Sequence, residues 1–401
     1  YRFVCDQVAE PFRELLMIVE LLNNLNVMGH LNGWRSIQAV EVRHQVGAWF
    51  FEAPLNDSNK GLLVEWATGD LPGLSIWDES TGWRYGGLLT EHDIDDIAIE
   101  GPTWVASGVD FNQLLVDRLA RPHATESEWW RYATDTAAGD TVSVAENFLQ
   151  LDAFYGLDAQ RIPPWSSSVF ANGSALPATT ARPQGAECLR LIRELLEGTG
   201  YYLSRDFQPA FTPNPARLVW EIIPQPVSQT RFSARDGNIQ RVSVKRKAAE
   251  VTEVIGVGED IGAGPAREVR TASGFDATWQ RRYREQLHNQ PSMSGAEIQD
   301  YVNRVLANGG PKTIVTAVDP DASLWGPDLD VGWLADVAVP TLTGGYEYER
   351  LPVEQVTLTG EAGVWERRLE FGARDLNDTS RLVHELGQVK AAIEAVKRAV
   401  R

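Results

Sequence analysis

Short apolar runs that alternate with polar residues, each closed by a turn, limit the fold of this chain most strongly. One such pattern leads from Ile37 to Phe51 and stops at Pro54. Alternation with a period of two is typical of half-buried strands, and closely spaced strands joined by glycine or proline turns favour a barrel or sandwich. The strands predicted in this first part are Ile37–Val42, Trp49–Phe51, Leu62–Trp66, Ser75–Trp77, Trp83–Thr90, Ile94–Ile99 and Trp104–Val109.

A second β-rich part begins near Arg231, where clean alternation returns after a mixed segment. Its predicted strands are Arg241–Lys247, Val251–Val257, Ala266–Thr271, Ile314–Val318, Trp333–Val339, Glu354–Thr359 and Val364–Phe371. The mixed segment between the two β-rich parts combines two helical patterns with the strands Tyr201–Leu203 and Leu218–Ile223.

Apolar residues that recur every three or four positions predict helices at several places. The clearest pattern ends at Gly198, because glycine commonly stops a helix. Ser294 and Glu297 have the spacing of a capping box, and Asp110 is a fair N-cap for the helix that follows it. The predicted helices are Val8–Met28, Asp110–Leu119, Ala145–Tyr155, Pro183–Gly198 and Ser294–Ala307.

The final residues carry a heptad repeat, with β-branched residues at both kinds of apolar position. That choice shifts parallel coiled coils from dimers towards trimers. An amphipathic helix docked on its own domain is the alternative interpretation. The residues predicted to form the oligomerisation seam are Leu382, Leu386, Val389, Ile393, Val396 and Val400.

The predicted fold is therefore α+β and mostly β. Two small β-barrel domains are expected at residues 1–120, which include the N-terminal helix, and 231–375. An α+β insertion is expected at 121–230, and a coiled-coil trimerisation helix at 376–401.

Composition excludes some classes of function. The formal net charge of −18 argues against a nucleic-acid clamp, since binding to phosphates needs clustered Lys and Arg. The sequence has no run of eighteen apolar residues, so no membrane span is expected. Cys5 and Cys188 match no metal-binding spacing and no disulfide framework, and are expected to be buried free thiols.

The candidate chemical motifs each have a simpler interpretation. The glycines of Gly256–Gly264 precede a strand pattern rather than a helix, which favours a hairpin loop over a dinucleotide site. A metal site at His92–Asp96 is less favoured than a solvated turn, because alternate strand residues point to opposite faces. Glu126 and Glu128 beside two tryptophans suggest a glycosidase pair, but nothing fixes their separation. No catalytic residue, cofactor or metal is expected, and the protein is predicted not to be an enzyme.

The order of these elements resembles that of phage tail baseplate hub proteins, the tail-associated (Tal-like) minor tail protein family of long-tailed phages. Val105–Arg118 is similar to the strand, Gly-x-Asp turn and Leu-Leu-x-x-Arg helix that close the first barrel of that family. Leu329–Val339 resembles the turn of the second barrel, with Ala335 in place of the usual glycine, and Arg267 follows a glycine loop as in the family. The stretches that resemble the opening of the first barrel are Gly47–Pro54, Leu62–Asp70 and Gly86–Thr90.

The resemblance implies a structural virion protein with two barrels of the phage tail-hub type. It would form a homotrimeric hub at the distal end of a phage tail, joining the six-fold tail tube to a three-fold tip and forming part of the DNA conduit. The implied partners are a distal tail protein, the tail-tube ring, the tape-measure protein, and tail fibre or tip proteins. DNA would pass through the lumen without specific binding, no stable membrane insertion is expected, and the location is the virion's distal tail tip.

Two alternatives to the hub remain at this stage. A host-surface carbohydrate-binding tail-tip protein would stack sugars on exposed tryptophans such as Trp129, Trp130 or Trp165. Buried tryptophans are commoner, which favours the hub. The second alternative is a scaffold of a cell-wall hydrolase.

Overall fold

The computed structural model describes residues 17–372 with gaps. The gaps are residues 80–81, 98–100, 120–136, 150–165, 170–177, 182–185, 198, 210–215, 236, 238, 240, 248–249, 261–264, 272–284, 290–294, 311, 320–328, 342–343 and 362–363. The predicted coiled coil lies outside the described residues, as do Cys5, Glu126, Glu128 and the three tryptophans named above.

The described part of the chain is mostly β. Its helices are α1 (Lys60–Ala67), α2 (Gln113–Val116), α3 (Thr141–Asn147), α4 (Cys188–Leu196) and α5 (Gly295–Asn308). Its first strands are β1 (Met17–Asn23), β2 (Asn26–His30), β3 (Ser36–Val42), β4 (Ala48–Pro54), β5 (Pro72–Asp78), β6 (Arg84–Ile97) and β7 (Gly101–Asp110). The middle strands are β8 (Ala137–Asp140), β9 (Ser166–Val169), β10 (Ala178–Ala181), β11 (Tyr201–Gln208), β12 (Arg217–Pro224) and β13 (Val227–Phe232). The last strands are β14 (Arg241–Lys247), β15 (Glu253–Asp260), β16 (Pro265–Thr271), β17 (Glu285–Asn289), β18 (Lys312–Asp319), β19 (Leu334–Pro340), β20 (Tyr346–Glu361) and β21 (Val364–Gly372).

One sheet of thirteen strands runs through both β-rich parts of the described chain. Its order is β14-β18-β21-β20-β3-β4-β7-β6-β5-β1-β2, and β13 joins it through β19, which pairs with β20. Smaller sheets are β10-β8, β11-β12-β9 and β16-β15-β17.

The two predicted barrels are not confirmed, because the pairings between described strands form no closed barrel. Strand β20 is 16 residues long, and its two halves have different partners. Its first half pairs with β19, whereas Gln355–Glu361 pairs with both β21 and β3. The pairing of β20 with β3 therefore joins the two β-rich parts, which the sequence analysis predicts as separate domains.

The main core lies under this sheet and draws its side chains from both β-rich parts. Trp49 stacks on Phe51 with ring centroids 6.0 Å apart, and both rings contact Trp66. A Cβ atom on Gly108 would lie 2.4 Å from the Trp49 indole and 2.0 Å from the carbonyl oxygen of Leu88. Only glycine at position 108 allows the indole to pack this closely against β7.

A second core belongs to the mixed segment. Helix α4 buries Cys188, Ile192 and Leu195 against α3 and the β11–β12 pair, as its helical periodicity predicts. Cys188 is a buried free thiol, as expected. The mixed segment therefore has an apolar interior of its own beside the large sheet.

A third, smaller core lies where α5 packs on β15. Val254 of the strand and Ile298 and Val302 of the helix are buried there. A Cβ atom on Gly256 would lie 2.4 Å from the Val302 side chain, so glycine at this position lets the helix approach the strand closely.

The predicted N-terminal helix is wrong over its described part. Met17–Asn23 and Asn26–His30 form an antiparallel hairpin instead, with Asn24 and Leu25 at positive φ in the turn. The apolar run of β1 is buried between β2 and β5, and a buried run of this kind suits a strand as well as a helix. Glu20, within this run, pairs with Arg84 of β6.

The strand predicted at Leu62–Trp66 is wrong, because these residues belong to helix α1. The side chain of Asn56 accepts hydrogen bonds from the backbone N–H groups of Ser58 and Asn59, which favours a turn into the helix. Leu63 and Trp66 share one face and are fully buried, and the Trp66 indole N–H donates to the carbonyl of Gly73 at 2.8 Å.

Other boundaries differ from the predictions. The two strands predicted between Trp83 and Ile99 are one strand, β6, with an irregularity between Leu89 and Glu91. His92–Asp96 therefore lies in a strand, not in a turn. The helix after Asp110 is a single turn, and α3 begins before Ala145, with Asp140 as its N-cap. Strand β15 pairs antiparallel with β16 on the two sides of residues 261–264, as the hairpin prediction requires.

In the described part of the chain, no helix is both long enough and apolar enough to cross a membrane.

Replacing Trp66 by Ala should lower the free energy of unfolding by about 3–5 kcal/mol, because a buried indole is lost and a cavity remains. Denaturant unfolding measures this change. Val64→Ala is the matched control, since Val64 lies on the exposed face of the same helix at 46% exposure. A similar loss for both variants would contradict the burial of Trp66.

Candidate functional site

Arg205 of β11 lies at the centre of a buried charge cluster. One guanidinium nitrogen lies 2.6 Å from a carboxylate oxygen of Glu41 on β3, and another lies 2.9 Å from Asp110 at the end of β7. The side chains of Arg205 and Asp110 are 6% and 0% exposed. The cluster therefore joins the mixed segment to the first β-rich part.

Backbone groups hold Asp110 in place. Its carboxylate accepts a hydrogen bond from the N–H of Asn112 at 2.9 Å. The Asn112 side chain donates to the carbonyl of Gln45 and accepts from the Trp220 indole N–H. Asp110 was expected to be the N-cap of a helix, but Asn112 holds that position before α2, and the second carboxylate oxygen of Asp110 faces Arg205.

The second β-rich part reaches the same cluster through the loop before β19. Asp330 accepts a hydrogen bond from the N–H of Val331 at 2.7 Å, and Gly332 packs on the Tyr202 ring of β11. Gly332 has a φ of +90°, and a Cβ atom there would lie 2.2 Å from that ring. The side-chain amide of Gln225 donates to the carbonyl of Gly332.

His44 and Arg43 complete the surroundings of Arg205. His44 Nε2 accepts a hydrogen bond from the backbone N–H of Leu203 at 3.1 Å, so its ring proton lies on Nδ1. Burial lowers the pKa of His44 well below its usual value, and Arg43 adds to this, so the ring is neutral. Arg43 pairs with Glu354 of β20.

Burial is the main influence on the three carboxylates. It raises the pKa of Glu41 to about 8 against the attraction of Arg205, and Asp330 and Asp110 add to the rise. Burial also raises the pKa of Asp330 to about 6 and raises that of Asp110. Glu41 and Asp110 both pair with Arg205, and Asp330 lies near enough to repel Glu41, so protonation of a carboxyl relieves their mutual repulsion.

These groups border a small, open cleft. Its lining includes Glu41, His44, Tyr202, Arg205 and Asp330. Within the described residues, no group of three or more His, Cys, Asp or Glu side chains is arranged to hold a metal ion. The cluster therefore has an electrostatic and structural role, because it links the first β-rich part, the mixed segment and the second β-rich part.

Sequence reasoning missed this cluster. The oligomerisation residues that it selected, Leu382 to Val400, lie outside the described residues. The available signal was a charged residue inside an apolar strand pattern, as with Glu41 between Val40 and Val42. Such a residue is costly to bury without a partner, but the pattern does not identify the partner.

Replacing Arg205 by Met should lower the free energy of unfolding by about 3–5 kcal/mol, because the buried carboxylates lose the cation that they share. Arg190→Met is the control, since Arg190 forms an exposed pair with Glu194 on α4 and should change stability by less than about 1 kcal/mol. An equal loss of unfolding free energy for the two variants, in thermal or denaturant unfolding, would contradict the stabilising role of Arg205.

Stability should also depend on pH through Glu41. Its pKa is raised from 4.5 to about 8 on folding, so the folded state binds more protons than the unfolded state in that interval. The free energy of unfolding should therefore fall as pH rises through this window. Glu41→Gln removes this contribution, so denaturant midpoints of the variant should vary less across that interval than those of the wild type. An equal slope for both proteins would contradict the assignment.

The comparisons with known proteins agree with the fold. Residues 18–309 match the family described as Siphovirus ReqiPepy6 Gp37-like protein. No curated protein matches the chain.

Three solved structures share the fold over most of their length. The prophage tail protein gp18 from Listeria monocytogenes EGD-e is 11% identical, with a TM-score of 0.53 and coverage of 93% of this chain and 99% of that one. The 43 kDa tail protein of prophage MuSo2 from Shewanella oneidensis is 12% identical, with a TM-score of 0.54 and coverage of 88% and 97%. The tail protein from Neisseria meningitidis MC58 is 13% identical, with a TM-score of 0.53 and coverage of 89% and 96%. The fold is therefore of the phage tail protein type, and the family match over more than half of its length shows that this chain belongs to the Siphovirus ReqiPepy6 Gp37-like protein family.

Proposed function

We propose that three copies of this chain form the hub at the distal end of a phage tail. The hub joins the six-fold tail tube to a three-fold tip and surrounds part of the DNA conduit. Family membership and the shared fold of phage tail proteins support a structural role in the tail. The protein acts as a structural virion component rather than an enzyme in this proposal.

The observation that carries the proposal is the continuous sheet that links the two β-rich parts of each copy. Strand β20 pairs with β3, and the Arg205 cluster fastens the mixed segment to the same body. Each copy thus offers two β-rich regions, at 1–120 and 231–375, in one connected unit. Three such copies around an axis supply six positions, which suits a junction between six-fold and three-fold symmetry.

Net charge and the C-terminal heptads fit the same role. A charge of −18 keeps DNA from adhering to the protein, as a conduit requires. Residues 376–401 form the trimeric coiled coil. The partners are a distal tail protein, the tail-tube ring, the tape-measure protein, and fibre or tip proteins at the end of the virion tail.

Light scattering tests the trimer. The wild-type chain should have three times the 44.5 kDa mass of one copy. Replacing both Ile393 and Val396 by Asp places charges in the apolar seam and should reduce that mass. Ala391→Asp, at a heptad position away from the seam, should leave it unchanged. A wild-type mass of one copy would overturn the hub proposal.

A further inference from the structure

The large sheet contains the same arrangement of strands twice. Its two halves have the orders β3-β4-β7-β6 and β14-β18-β21-β20, with every neighbouring pair antiparallel. A fifth strand pairs with the first half of the last strand in each, β5 with β6 and β19 with β20. The strands also follow the same order along the chain. We call the two halves unit 1 (β3, β4, β5, β6 and β7) and unit 2 (β14, β18, β19, β20 and β21).

An irregularity at the same place aligns the long strands of the two units. The β6–β7 register shifts between Leu89 and Glu91, and the β20–β21 register shifts between Val353 and Gln355. In both units the shift begins one residue after the last residue that pairs with the fifth strand. Glu91 therefore corresponds to Gln355, and the two strands match residue for residue from there on.

The cross-strand pairs extend this correspondence to the outer strand of each unit. In unit 1 the series of pairs that starts at Leu89 ends at Ala39 of β3. In unit 2 the series that starts at Val353 ends at Val244 of β14. Strand β14 therefore matches β3, with Val244 at the position of Ala39.

One junction between the units is made within a single copy. The second half of β20 pairs with β3, so unit 2 joins unit 1 there. The matching strands are β6 of unit 1 and β14 of unit 2. Among the described strands, β6 beyond Leu89 pairs only with β7, and β14 pairs only with β18. Each copy therefore presents both strands of a second junction as sheet edges, whose backbone groups can pair with another strand.

Burial differs between matching positions in the way that a missing neighbour explains. Leu358 of β20, opposite Ala39 of β3, is 1% exposed in the main core. Its counterpart in β6 is Ile94, which is 51% exposed. A strand beside β6 would cover Ile94 as β3 covers Leu358.

We propose that β6 of one copy pairs antiparallel with β14 of the next copy, in the register of the β20–β3 pair. Ile94 then lies opposite Val244, and Asp93 lies opposite Lys245. The occupant is a second copy because each edge matches one strand of the junction that the chain already makes within itself. This inference rests on the proposed trimer and names the contact between its subunits, which closes a ring of alternating internal and external junctions.

The charges on the two edges agree with this register, which was obtained from backbone pairing alone. Alternation places Glu91 and Asp93 on one face of β6 and Ile94 on the other. The exposed Asp93 meets the exposed Lys245, and Glu91 comes opposite Lys247 in the next strand. Opposite charges directly across two strands stabilise their pairing, and like charges destabilise it.

Cysteine cross-linking tests the register. Ile94→Cys and Val244→Cys are placed together in one chain in which Cys5 is replaced by Ser; Cys188 stays as a buried thiol. Residues directly opposite in an antiparallel pair have Cα atoms about 4.5–5.5 Å apart, which a disulfide can bridge. Oxidation should therefore link the copies into covalent trimers, which a non-reducing gel separates from single chains.

The matched control uses Val242→Cys in place of Val244→Cys. Val242 lies on the same face of β14 and is also half-buried, but it is about 7 Å further along the strand, too far for a disulfide. The control should give at most about a tenth of the covalent trimer.

Charge reversal at the exposed pair supplies an independent readout. Asp93→Lys and Lys245→Asp, each added to the chain with Ile94→Cys and Val244→Cys, should lower the yield by about threefold or more, because like charges then oppose each other. Both reversals in one chain should restore most of the yield. The restored yield also shows that each reversal leaves the chain folded.

The outcomes separate this pairing from the hub proposal. A trimeric mass in light scattering without covalent trimers overturns the strand pairing and leaves the hub standing. Equal yields with Val242→Cys and Val244→Cys, or yields that charge reversal does not change, also overturn the pairing. Covalent products that continue beyond three copies support the pairing and overturn the trimer. A monomeric mass without cross-linking overturns both.

Discussion

A buried guanidinium shared by carboxylates from separate strands is the interaction on which the assembly of this fold depends. Arg205 reaches Glu41 and Asp110 at hydrogen-bonding distance, and Asp330 faces the same cleft. Removing these charges from water is costly, so the cluster stabilises the fold only when its members are together. The assembled cluster holds β11, and with it the mixed segment, against the large sheet.

The length of β20 governs the arrangement of the remaining strands. Because its first half pairs with β19 and its second half with β3 and β21, the two β-rich parts share one sheet and one core.

Most strands were predictable because alternation along β3 and β19 reports directly which face is buried. The wrong predictions fall in two kinds of segment. In β1, a buried apolar run is compatible with either a helix or a strand. In α1, a contact distant in sequence, the hydrogen bond from Trp66 to the Gly73 carbonyl, stabilises the helix where a strand was predicted. The site was not predictable. Arg205 and Glu41 are 164 residues apart, and no local pattern relates them.

The sequence by itself determined a mostly β chain, the amphipathic helix α4 and the hairpin after β15, since each depends on side-chain period or on local turn chemistry. Tertiary structure alone decided that β20 joins β3, that α1 is a helix and that Arg205 pairs with Glu41 and Asp110. Those outcomes depend on non-local pairing and on the cost of burying charge without a partner, which no short stretch of sequence records.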